Sequence, residues 1–396
     1  MSGRSTESAA MSLRDIVVVG GSIAAVTAIE TLRIEGFEGT ITMLSDEHVP
    51  PYTRVPLSKG VLDGSVAFHE AVLAPLSDDI DVRLNTRALA LDTDTKVVST
   101  ATGAVPYDGL IIATGGRARR LGSADQDERV LRSHADCTRI RHELESASSV
   151  LVVGGGFLGM EVASTCHDLG KAVTVVDLAP PLERLLGPDV AKYVRTTAMS
   201  MGVTMVVADG GVRLIGAPKP AGVELVDGRR LEADLVITAI GDCANVEWLA
   251  GSGVAVHGGV VVDERCRVRE NIVAAGDVAV MTTATGEFIK TPSWSNAVDQ
   301  ARTAARALLH GTNTPAYRAS DYFWTEQFGL DIKMVGEQGP RSHYAVLEGN
   351  LSDGRALMSW QRTDRHRTLL AVNHRIPPAK LKKLYHSPIP ALSSLP

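Results

Sequence analysis

Two glycine-rich turns constrain the fold of this 396-residue chain more than any other feature. Each turn follows a run of β-branched residues and precedes a helical stretch, and the strand after that helix ends in an aspartate. The turns are IVVVGGSIAA at Ile16–Ala25 and VLVVGGGFLG at Val150–Gly159, and the aspartates are Asp46 and Asp177. This strand–turn–helix–strand pattern is typical of Rossmann units that bind dinucleotides. Two such units predict a chain that holds two dinucleotides at once.

The first turn matches the dinucleotide pattern loosely. Gly20 permits the tight bend, while Ser22 and Ala25 occupy the second and third glycine positions. Serine is small enough for a pyrophosphate to approach the backbone, and alanine is accepted at the third position. Asp46 is predicted to bind the ribose hydroxyls of this nucleotide.

The second turn carries all three glycines, Gly154, Gly156 and Gly159. Asp177 is predicted to accept hydrogen bonds from an unmodified ribose and to repel a 2′-phosphate. Residues 178–180, which follow it, contain no arginine to receive such a phosphate. The second unit is therefore predicted to bind NADH rather than NADPH.

The chain is longer than a single core usually allows, so several domains are expected. The pattern predicts an α/β fold with two Rossmann-like dinucleotide-binding domains and a small C-terminal α+β domain, with helices over residues 24–35, 158–169 and 296–309. A single strand is predicted over Val82–Leu91. We expect a disordered tail at 1–12, a discontinuous first dinucleotide domain at 13–115 and 248–320, a second at 116–247, and the C-terminal domain at 321–396.

Composition excludes several classes of function. The net charge of −6 argues against general nucleic-acid binding, and no apolar run is long enough for a membrane span. The small polar N-terminus lacks a signal-peptide pattern, so the cytoplasm is the expected compartment. Cys137, Cys166, Cys243 and Cys266 are scattered without metal-ligand spacing, which predicts buried free thiols and no metal site.

The C-terminal region is basic, unlike the rest of the chain. From Asp331 onward there are ten lysine or arginine residues and five acidic ones. Such a surface suits an acidic protein partner, because complementary charge accelerates encounter. A solvated, charge-rich tail would give the same count. The sequence leaves both interpretations open, as it does the choice between monomer and homodimer.

A series of ordered motifs identifies a family resemblance that runs from about Arg14 to the end of the chain. The motifs are VVVGGSIAA, PYTRVPLSKG, LIIATGGR, VVGGGFLGMEVA, Gly241-Asp242, AAGDVA, WSNAVDQARTAA and DYFWTEQF. In these motifs the chain resembles the flavin-dependent ferredoxin reductases of bacterial oxygenase systems, within the glutathione-reductase-like superfamily of two-dinucleotide proteins. The resemblance implies that the first unit binds FAD and the second NADH.

For FAD, the resemblance implies nine residues: Gly20, Ser22, Ala24, Asp46, Lys59, Ala88, Arg132, Asp277 and Trp294. Lys59 is expected to reach the flavin ring, where a cation can stabilise the reduced anion. Ala88 and Arg132 are expected on the adenine side and Asp277 on the ribityl chain. Trp294 is expected to make a backbone contact near the flavin. A solvated loop lysine and a core aromatic are the structural alternatives for Lys59 and Trp294.

For NADH, the resemblance implies Gly154, Gly156, Leu158, Gly159, Glu161, Asp177 and Gly241, with Asn245 in the loop that closes over the nucleotide. Glu161 is expected to orient the nicotinamide ring. An acid in the first turn of a helix is also a common partner of the helix dipole, and this alternative stays open.

The implied reaction is hydride transfer from NADH to bound FAD, followed by single-electron transfer to an iron–sulphur ferredoxin that feeds an oxygenase. The flavin motifs contain no cysteine pair, which the disulphide reductases of the superfamily require, and no acid–base residue is assigned. The alternatives are a rubredoxin reductase or an NADH oxidase of the same superfamily. An alternative from another class is a redox-controlled binding protein that resembles apoptosis-inducing factor. The oxidase would need a peroxidatic cysteine near the flavin, and none of the four cysteines stands in such a position.

Overall fold

The structure is a computed structural model that describes residues 13–283, 285–319, 322–336, 344–363 and 366–387. The tail expected at residues 1–12 and the last nine residues of the predicted C-terminal domain lie outside the described residues. Within the described ranges, no helix has both the length and the apolar character needed to cross a membrane.

The helices and strands follow the sequence in four segments. Residues 13–115 contain β1 (Asp15–Val19), α1 (Ile23–Ile34), β2 (Thr40–Leu44), α2 (Gly60–Asp63), α3 (Phe68–Ala71), β3 (Ile80–Arg83), β4 (Ala88–Asp92), β5 (Val97–Thr100), β6 (Gly103–Pro106) and β7 (Gly109–Ile112). Residues 116–247 contain β8 (Gly116–Ala118), β9 (Arg129–Val130), α4 (His134–Ser146), β10 (Ser149–Val153), α5 (Phe157–Asp168), β11 (Ala172–Asp177), α6 (Glu183–Leu186), α7 (Pro188–Ser200), β12 (Thr204–Val207), β13 (Val212–Ile215), β14 (Gly222–Leu225), β15 (Arg230–Glu232), β16 (Leu235–Thr238) and β17 (Asp242–Ala244). Residues 248–319 contain β18 (Val260–Val262), β19 (Arg267–Arg269), β20 (Ile272–Ala274), β21 (Ala279–Thr282), β22 (Phe288–Ile289) and α8 (Trp294–His310). Residues 322–387 contain β23 (Tyr322–Gln327), β24 (Leu330–Val335), β25 (Ala345–Asn350), β26 (Arg355–Thr363), β27 (His366–Val372) and α9 (Pro378–His386).

Six strands form the sheet of the first dinucleotide unit, in the order β19-β20-β7-β1-β2-β3. β1 pairs in parallel with both β2 and β7, and β20 pairs in parallel with β7. The segments before residue 115 and after residue 248 therefore share one sheet. Helices α1 and α8 pack on one face of this sheet, and the antiparallel sheet β4-β5-β6 packs on the other. Because both faces of the sheet are covered, the sequences of its parallel strands are nearly continuous apolar runs.

The second unit repeats this layering. Its five strands follow the order β12-β11-β10-β16-β9, and all their pairings are parallel. Helices α4, α5 and α7 contribute to the core on one face, and the antiparallel sheet β13-β14-β15 covers the other. Strands β8 and β17 pair with each other where the chain passes between the two units.

The C-terminal segment is an antiparallel sheet in the order β23-β24-β27-β26-β25. Helix α9 packs on one face. The other face belongs to the largest core cluster, which also contains the second unit and the loop and short helices over residues 52–71. The three segments that we propose as domains thus meet in one shared core.

The architecture confirms the predicted α/β class with two Rossmann-like units. One expectation is wrong: the single strand predicted over Val82–Leu91 is two strands, β3 and β4. Asn85 between them adopts a left-handed conformation with φ of 51°, which turns the chain into a different sheet.

Candidate functional site

A cavity of about 1190 Å³ lies where the two dinucleotide units and strand β23 meet. All nine residues implied for FAD line it: Gly20, Ser22, Ala24, Asp46, Lys59, Ala88, Arg132, Asp277 and Trp294. Of the residues implied for NADH, five line it as well: Gly156, Leu158, Glu161, Gly241 and Asn245. Gly154, Gly159 and Asp177 do not line this cavity and lie beyond it in the second turn.

The first turn brings bare backbone to the cavity. Gly20 has a φ of 135°, and a Cβ atom there would lie 2.1 Å from the carbonyl oxygen of Ala113. Ser22 is the N-cap of α1; its hydroxyl donates to the carbonyl of Tyr52 and accepts no hydrogen bond from the helix amides. The first amides of α1 are therefore left for a ligand, and a helix N-terminus of this kind favours a pyrophosphate. The residues of this turn fit the adenosine diphosphate half of FAD.

Asp46 follows the end of β2, beside the first turn. Its side chain is 65% exposed, and its salt-bridge partner is Arg87, with Nη1 at 3.9 Å from Oδ2. Both side chains line the cavity. The carboxylate is thus accessible to ribose hydroxyls, as its predicted role requires.

Arg132 and Asp277 were assigned to different parts of FAD, yet they contact each other. Nη2 of Arg132 donates to Oδ2 of Asp277 at 2.8 Å, and Nε donates to the carbonyl of Gly116. Both side chains are about one-quarter exposed and line the cavity. They form one polar wall that presents a guanidinium and a carboxylate together.

Lys59 and Glu161 form an ion pair at the inner end of the cavity. Nζ of Lys59 lies 2.7 Å from Oε2 of Glu161. Ser58 donates to the same oxygen at 2.7 Å, and Thr325 donates to Oε1, also at 2.7 Å. Glu161 is only 8% exposed, and its charge is compensated by three donors from two segments of the chain. Lys59 is accordingly not a solvated loop lysine.

A second, partly buried network supports the loop that carries Lys59. Arg54 donates to Glu47 at 2.6 Å and to the hydroxyl of Tyr52 at 2.8 Å, and Tyr52 donates to Glu47 at 2.5 Å. The hydroxyl of Tyr52 also accepts a hydrogen bond from the amide of His134. Burial raises the pKa of Tyr52 well above its ordinary value, so Tyr52 stays a neutral donor at any physiological pH.

The second turn is shaped like the first but packs more closely. Gly154 has a φ of 110°, and a Cβ atom there would lie 2.3 Å from the carbonyl oxygen of Ala239. A Cβ atom on Gly159 would lie 1.9 Å from the carbonyl oxygen of Gly154, whereas one on Gly156 would meet no atom within 4 Å. The backbone at Gly156 therefore faces open space at the N-terminus of α5. This space suits the pyrophosphate of a second nucleotide.

Asp177 is held by the turn that it adjoins. Oδ2 accepts from the amide of Gly155 and Oδ1 from the amide of Leu178, both at 2.6 Å. Nη2 of Arg184 lies 3.9 Å from Oδ1. The sequence offered no arginine directly after Asp177, but the left-handed conformation of Leu182, with φ of 65°, turns the chain so that Arg184 returns to the carboxylate.

Gly241 and Asn245 lie at the crossing between the two units. The side chain of Asn245 donates to the carbonyl of Thr114 at 2.9 Å, and its backbone amide donates to the carbonyl of Gly115. Asn245 therefore links β17 to the end of β7. Gly241 has a φ of 99°, and a Cβ atom there would meet no atom within 4 Å.

Aromatic side chains surround the outer side of the cavity. Trp294, the first residue of α8, is 40% exposed and meets the edge of Trp324 at 6.2 Å between ring centroids. Trp324 stacks on Tyr322 at 5.7 Å, and Nζ of Lys382 lies 5.6 Å from the centre of the Tyr322 ring. Trp294 is not a core aromatic, because much of its ring is exposed.

The four cysteines lie outside the cavity lining, although Cys137 donates to the carbonyl of the lining residue Leu57 at 3.4 Å. Cys137, Cys166 and Cys266 are buried free thiols, as predicted, whereas Cys243 is partly exposed. Burial raises the pKa of Cys137 to about 11 and that of Cys166 to about 12, which leaves both thiols protonated at neutral pH. None of the four lines the cavity.

Comparison with known proteins now identifies the family. The family model described as pyridine nucleotide-disulphide oxidoreductase matches residues 14–306. The chain belongs to this family. The rubredoxin–NAD(+) reductase of Pseudomonas putida is 35% identical over 333 residues, which cover 81% of this chain and 86% of that protein. The ferredoxin–NAD(+) reductase component of the biphenyl dioxygenase system of Paraburkholderia xenovorans is 33% identical over 353 residues, with coverage of 87% and 86%.

A solved structure is similar over almost the whole chain. The covalent complex of putidaredoxin reductase with putidaredoxin aligns with a TM-score of 0.84 at 30% identity, over 94% of this chain and 92% of that chain. These similarities confirm the predicted resemblance, the enzyme class and the cofactors: the protein is an electron-transfer oxidoreductase that uses FAD and NADH. The roles assigned to single residues stay predictions.

Three polar residues of the site were missed from the sequence: Ser58, Thr325 and Arg184. Ser58 and Thr325 lie inside motifs that were recognised, PLSKG and DYFWTEQF, but neither has a local pattern that marks it as a partner of Glu161. Strand alternation was the available signal for Thr325, because it lies two residues after Phe323 and so faces the same side of the strand.

Proposed function

We propose that this protein is an NADH-dependent ferredoxin reductase that supplies electrons to an oxygenase. The observation that carries the proposal is the single cavity in which the predicted flavin residues and Glu161 meet, with the Lys59–Glu161 pair at its inner end. The relatives that reduce a ferredoxin or a rubredoxin support it. When bound, FAD accepts a hydride from NADH and passes electrons on singly.

The residues of the chain would bind and orient the two nucleotides. The turn at Gly20, with Ser22 and Asp46, would hold the adenosine diphosphate half of FAD, and Arg132 with Asp277 would bind its polar linker. The turn at Gly156 and the carboxylate of Asp177 would hold NADH. Lys59 would place a positive charge beside the flavin. Glu161 would partly neutralise that charge and would orient the nicotinamide.

The C-terminal segment would dock the protein partner. A continuous path of side-chain contacts runs from α9 to the outer side of the cavity, through Lys382, Tyr322, Trp324 and Trp294. Some basic residues counted from the sequence are engaged: Lys333 pairs with Asp331 at 2.6 Å, and Arg367 is buried against the carbonyls of Tyr385 and Ser387. Four of the described ones are exposed and available to an acidic iron–sulphur ferredoxin: Arg355, Arg375, Lys380 and Lys383. Arg341, Arg365 and the side chain of Arg362 lie outside the described residues.

Anaerobic stopped-flow mixing tests the proposal. The NADH-reduced protein is mixed with a panel of ferredoxins and a rubredoxin from the same host, and reoxidation of the flavin is followed by its absorbance. We expect fast reoxidation by a ferredoxin. Preference for the rubredoxin would establish the alternative that the Pseudomonas putida relative favours. A slow, air-stable complex with NADH and no fast acceptor would instead favour the redox-controlled binding protein.

Salt dependence tests the docking surface separately. Because exposed charges are screened within about 10 Å at 0.1 M salt, ferredoxin reduction should slow steeply as salt is added. Reduction of a small uncharged quinone by the same protein serves as the control and should change little. Equal salt responses for both acceptors would contradict docking through the basic surface. The cytoplasm stays the proposed compartment, since free thiols suit reducing conditions.

A further inference from the structure

The buried polar face of α5 contacts the first unit and the C-terminal sheet at the same time. Glu161, Ser164 and Thr165 lie on this face at helical spacing, and all three are buried. Thr165 donates to the carbonyl of Ser58 at 2.7 Å, and Ser164 accepts from the amide of Phe328 at 2.7 Å. Glu161 thus sits between two anchored segments, the loop that carries Lys59 and the strand β23.

Strand β23 presents different residues to its two sides. Tyr322 and Trp324 belong to the aromatic path on the outer side of the cavity. Phe323 and Thr325 alternate with them and face α5, where Phe323 contacts Phe157 at 4.2 Å between ring centroids and Thr325 contacts Glu161. The strand proposed to receive the partner is therefore also the strand that holds Glu161.

The hydroxyl of Thr325 has a defined direction. It is fully buried, and it accepts a hydrogen bond from Nε2 of Gln327 at 3.2 Å. A hydroxyl has one proton, and an ionised carboxylate can only accept, so Thr325 must donate that proton to Oε1 of Glu161. Oε2 then remains for Ser58 and Lys59.

The geometry points to Thr325 as a positioning residue that fixes Glu161 on Lys59 and thereby sets the field of Lys59 at the flavin. This inference rests on the proposed placement of Lys59 beside the flavin. Without the hydroxyl, Oε1 of Glu161 would be buried without a donor, which is unfavourable for a carboxylate. The carboxylate should then turn away, so that the charge of Lys59 is less well compensated and the reduced flavin is stabilised.

The test compares Thr325→Val, which removes the hydroxyl at nearly constant shape, with Thr325→Ser, which keeps it. Glu161→Ala removes the carboxylate, and Thr325→Val is also made in that background. Two readouts are taken on the FAD-loaded protein without any ferredoxin: the flavin midpoint potential by spectroelectrochemistry, and the NADH dissociation constant by anaerobic titration. Thr314→Val is the matched control, because its buried hydroxyl has no hydrogen-bond partner among the described residues.

For Glu161→Ala we expect the relative affinity for reduced over oxidised flavin to rise about tenfold, which equals about 30 mV for a two-electron couple. Thr325→Val should move the potential in the same direction by a smaller amount and should weaken NADH binding about threefold. Thr325→Ser and Thr314→Val should match the wild type. In the Glu161→Ala background, Thr325→Val should have no further effect.

Several results would overturn the inference. An equal effect of Thr325→Val in both backgrounds would show a general structural role. If Thr325→Ser shifts the potential and the NADH affinity as Thr325→Val does, the hydroxyl has no positioning role. The same conclusion follows if Thr325→Val has the potential and NADH affinity of the wild type. If Thr325→Val does not fold, Thr325→Ala takes its place under the same criteria. If Glu161→Ala itself changes neither readout, the proposed placement of Lys59 and Glu161 fails instead, which separates the two failures.

Discussion

The two glycine turns have the same backbone course but different surroundings. In each, the first glycine adopts a positive φ and packs against a carbonyl oxygen at the end of a neighbouring strand, that of Ala113 for Gly20 and that of Ala239 for Gly154. The third position differs: Ala25 is buried without conflict in the first turn, whereas a Cβ on Gly159 would overlap the backbone of the second. Helix α5 thus begins closer to its turn, and only glycine fits there.

The aspartates that follow the two units differ as well. Each lies 3.9 Å from an exposed arginine, but Asp46 is largely exposed, whereas the side chain of Asp177 is 14% exposed and bonded to two backbone amides. At the first turn, other segments enclose the cavity, among them those that carry Arg132, Asp277 and Lys59. The second turn has its acid already fixed in place. A resident cofactor suits the first arrangement, and a nucleotide that binds and leaves suits the second.

The largest effect on stability is expected from a substitution of Gly20, which packs against a neighbouring strand and is predicted to lie against the ligand. Gly20→Ala places a Cβ atom 2.1 Å from a backbone oxygen at a positive φ, so it should destabilise the protein by about 3 kcal/mol or more and lower its FAD content. Thermal unfolding and the flavin absorbance of the purified protein measure both quantities.

The matched control for Gly20→Ala comes from the second turn. Gly156 has an extended backbone that any residue adopts, and a Cβ there would meet no protein atom within 4 Å. Gly156→Ala should leave the melting temperature and FAD content unchanged but weaken NADH binding, because the added methyl would occupy the space of the pyrophosphate. Unchanged NADH affinity would show that no phosphate approaches this turn.

Asp177→Ala should cost about 1–3 kcal/mol of NADH binding, the usual range for a lost hydrogen bond to a charged group. It should also loosen the second turn, because the amide of Gly155 loses its acceptor. Isothermal titration with NADH measures the loss. Asp46→Ala is the comparison: it should lower FAD retention while leaving NADH affinity intact. If Asp46→Ala weakened NADH binding instead, the assignment of the two nucleotides would have to be exchanged.

Local patterns were sufficient to predict most of the fold. The helix predicted over 24–35 is α1, and the helix predicted over 158–169 is α5, each shifted by one residue. Apolar strands and glycine turns are specified by a few consecutive residues, so they can be recognised in the sequence. Helix α4 was missed although Ser133 and Asp136 form a capping box at its start, a signal that was available.

The contacts that define the candidate site could not be predicted in this way. Arg132 and Asp277 are 145 positions apart, and Glu161 and Thr325 are 164 positions apart. Such contacts depend on how separate segments pack against one another, and no periodicity within either segment encodes them. The motifs predicted which residues gather around the cavity, but not which of them bond to each other.

Arg184 gives the smallest expected difference between the two turns, because it lies near Asp177, the aspartate predicted to select against a 2′-phosphate. Its side chain is 71% exposed, and Nη2 is 3.9 Å from Oδ1 of Asp177. An arginine there would partly offset the repulsion of NADPH by the carboxylate. Arg184→Ala should therefore weaken NADPH binding about twofold to fivefold, within the range of exposed charge pairs, and change NADH binding less. The two dissociation constants are measured at low and high salt, with Arg302→Ala on α8 as a control that removes another exposed charge. An equal loss for both nucleotides would mean that Arg184 supports the turn and does not discriminate between the nucleotides.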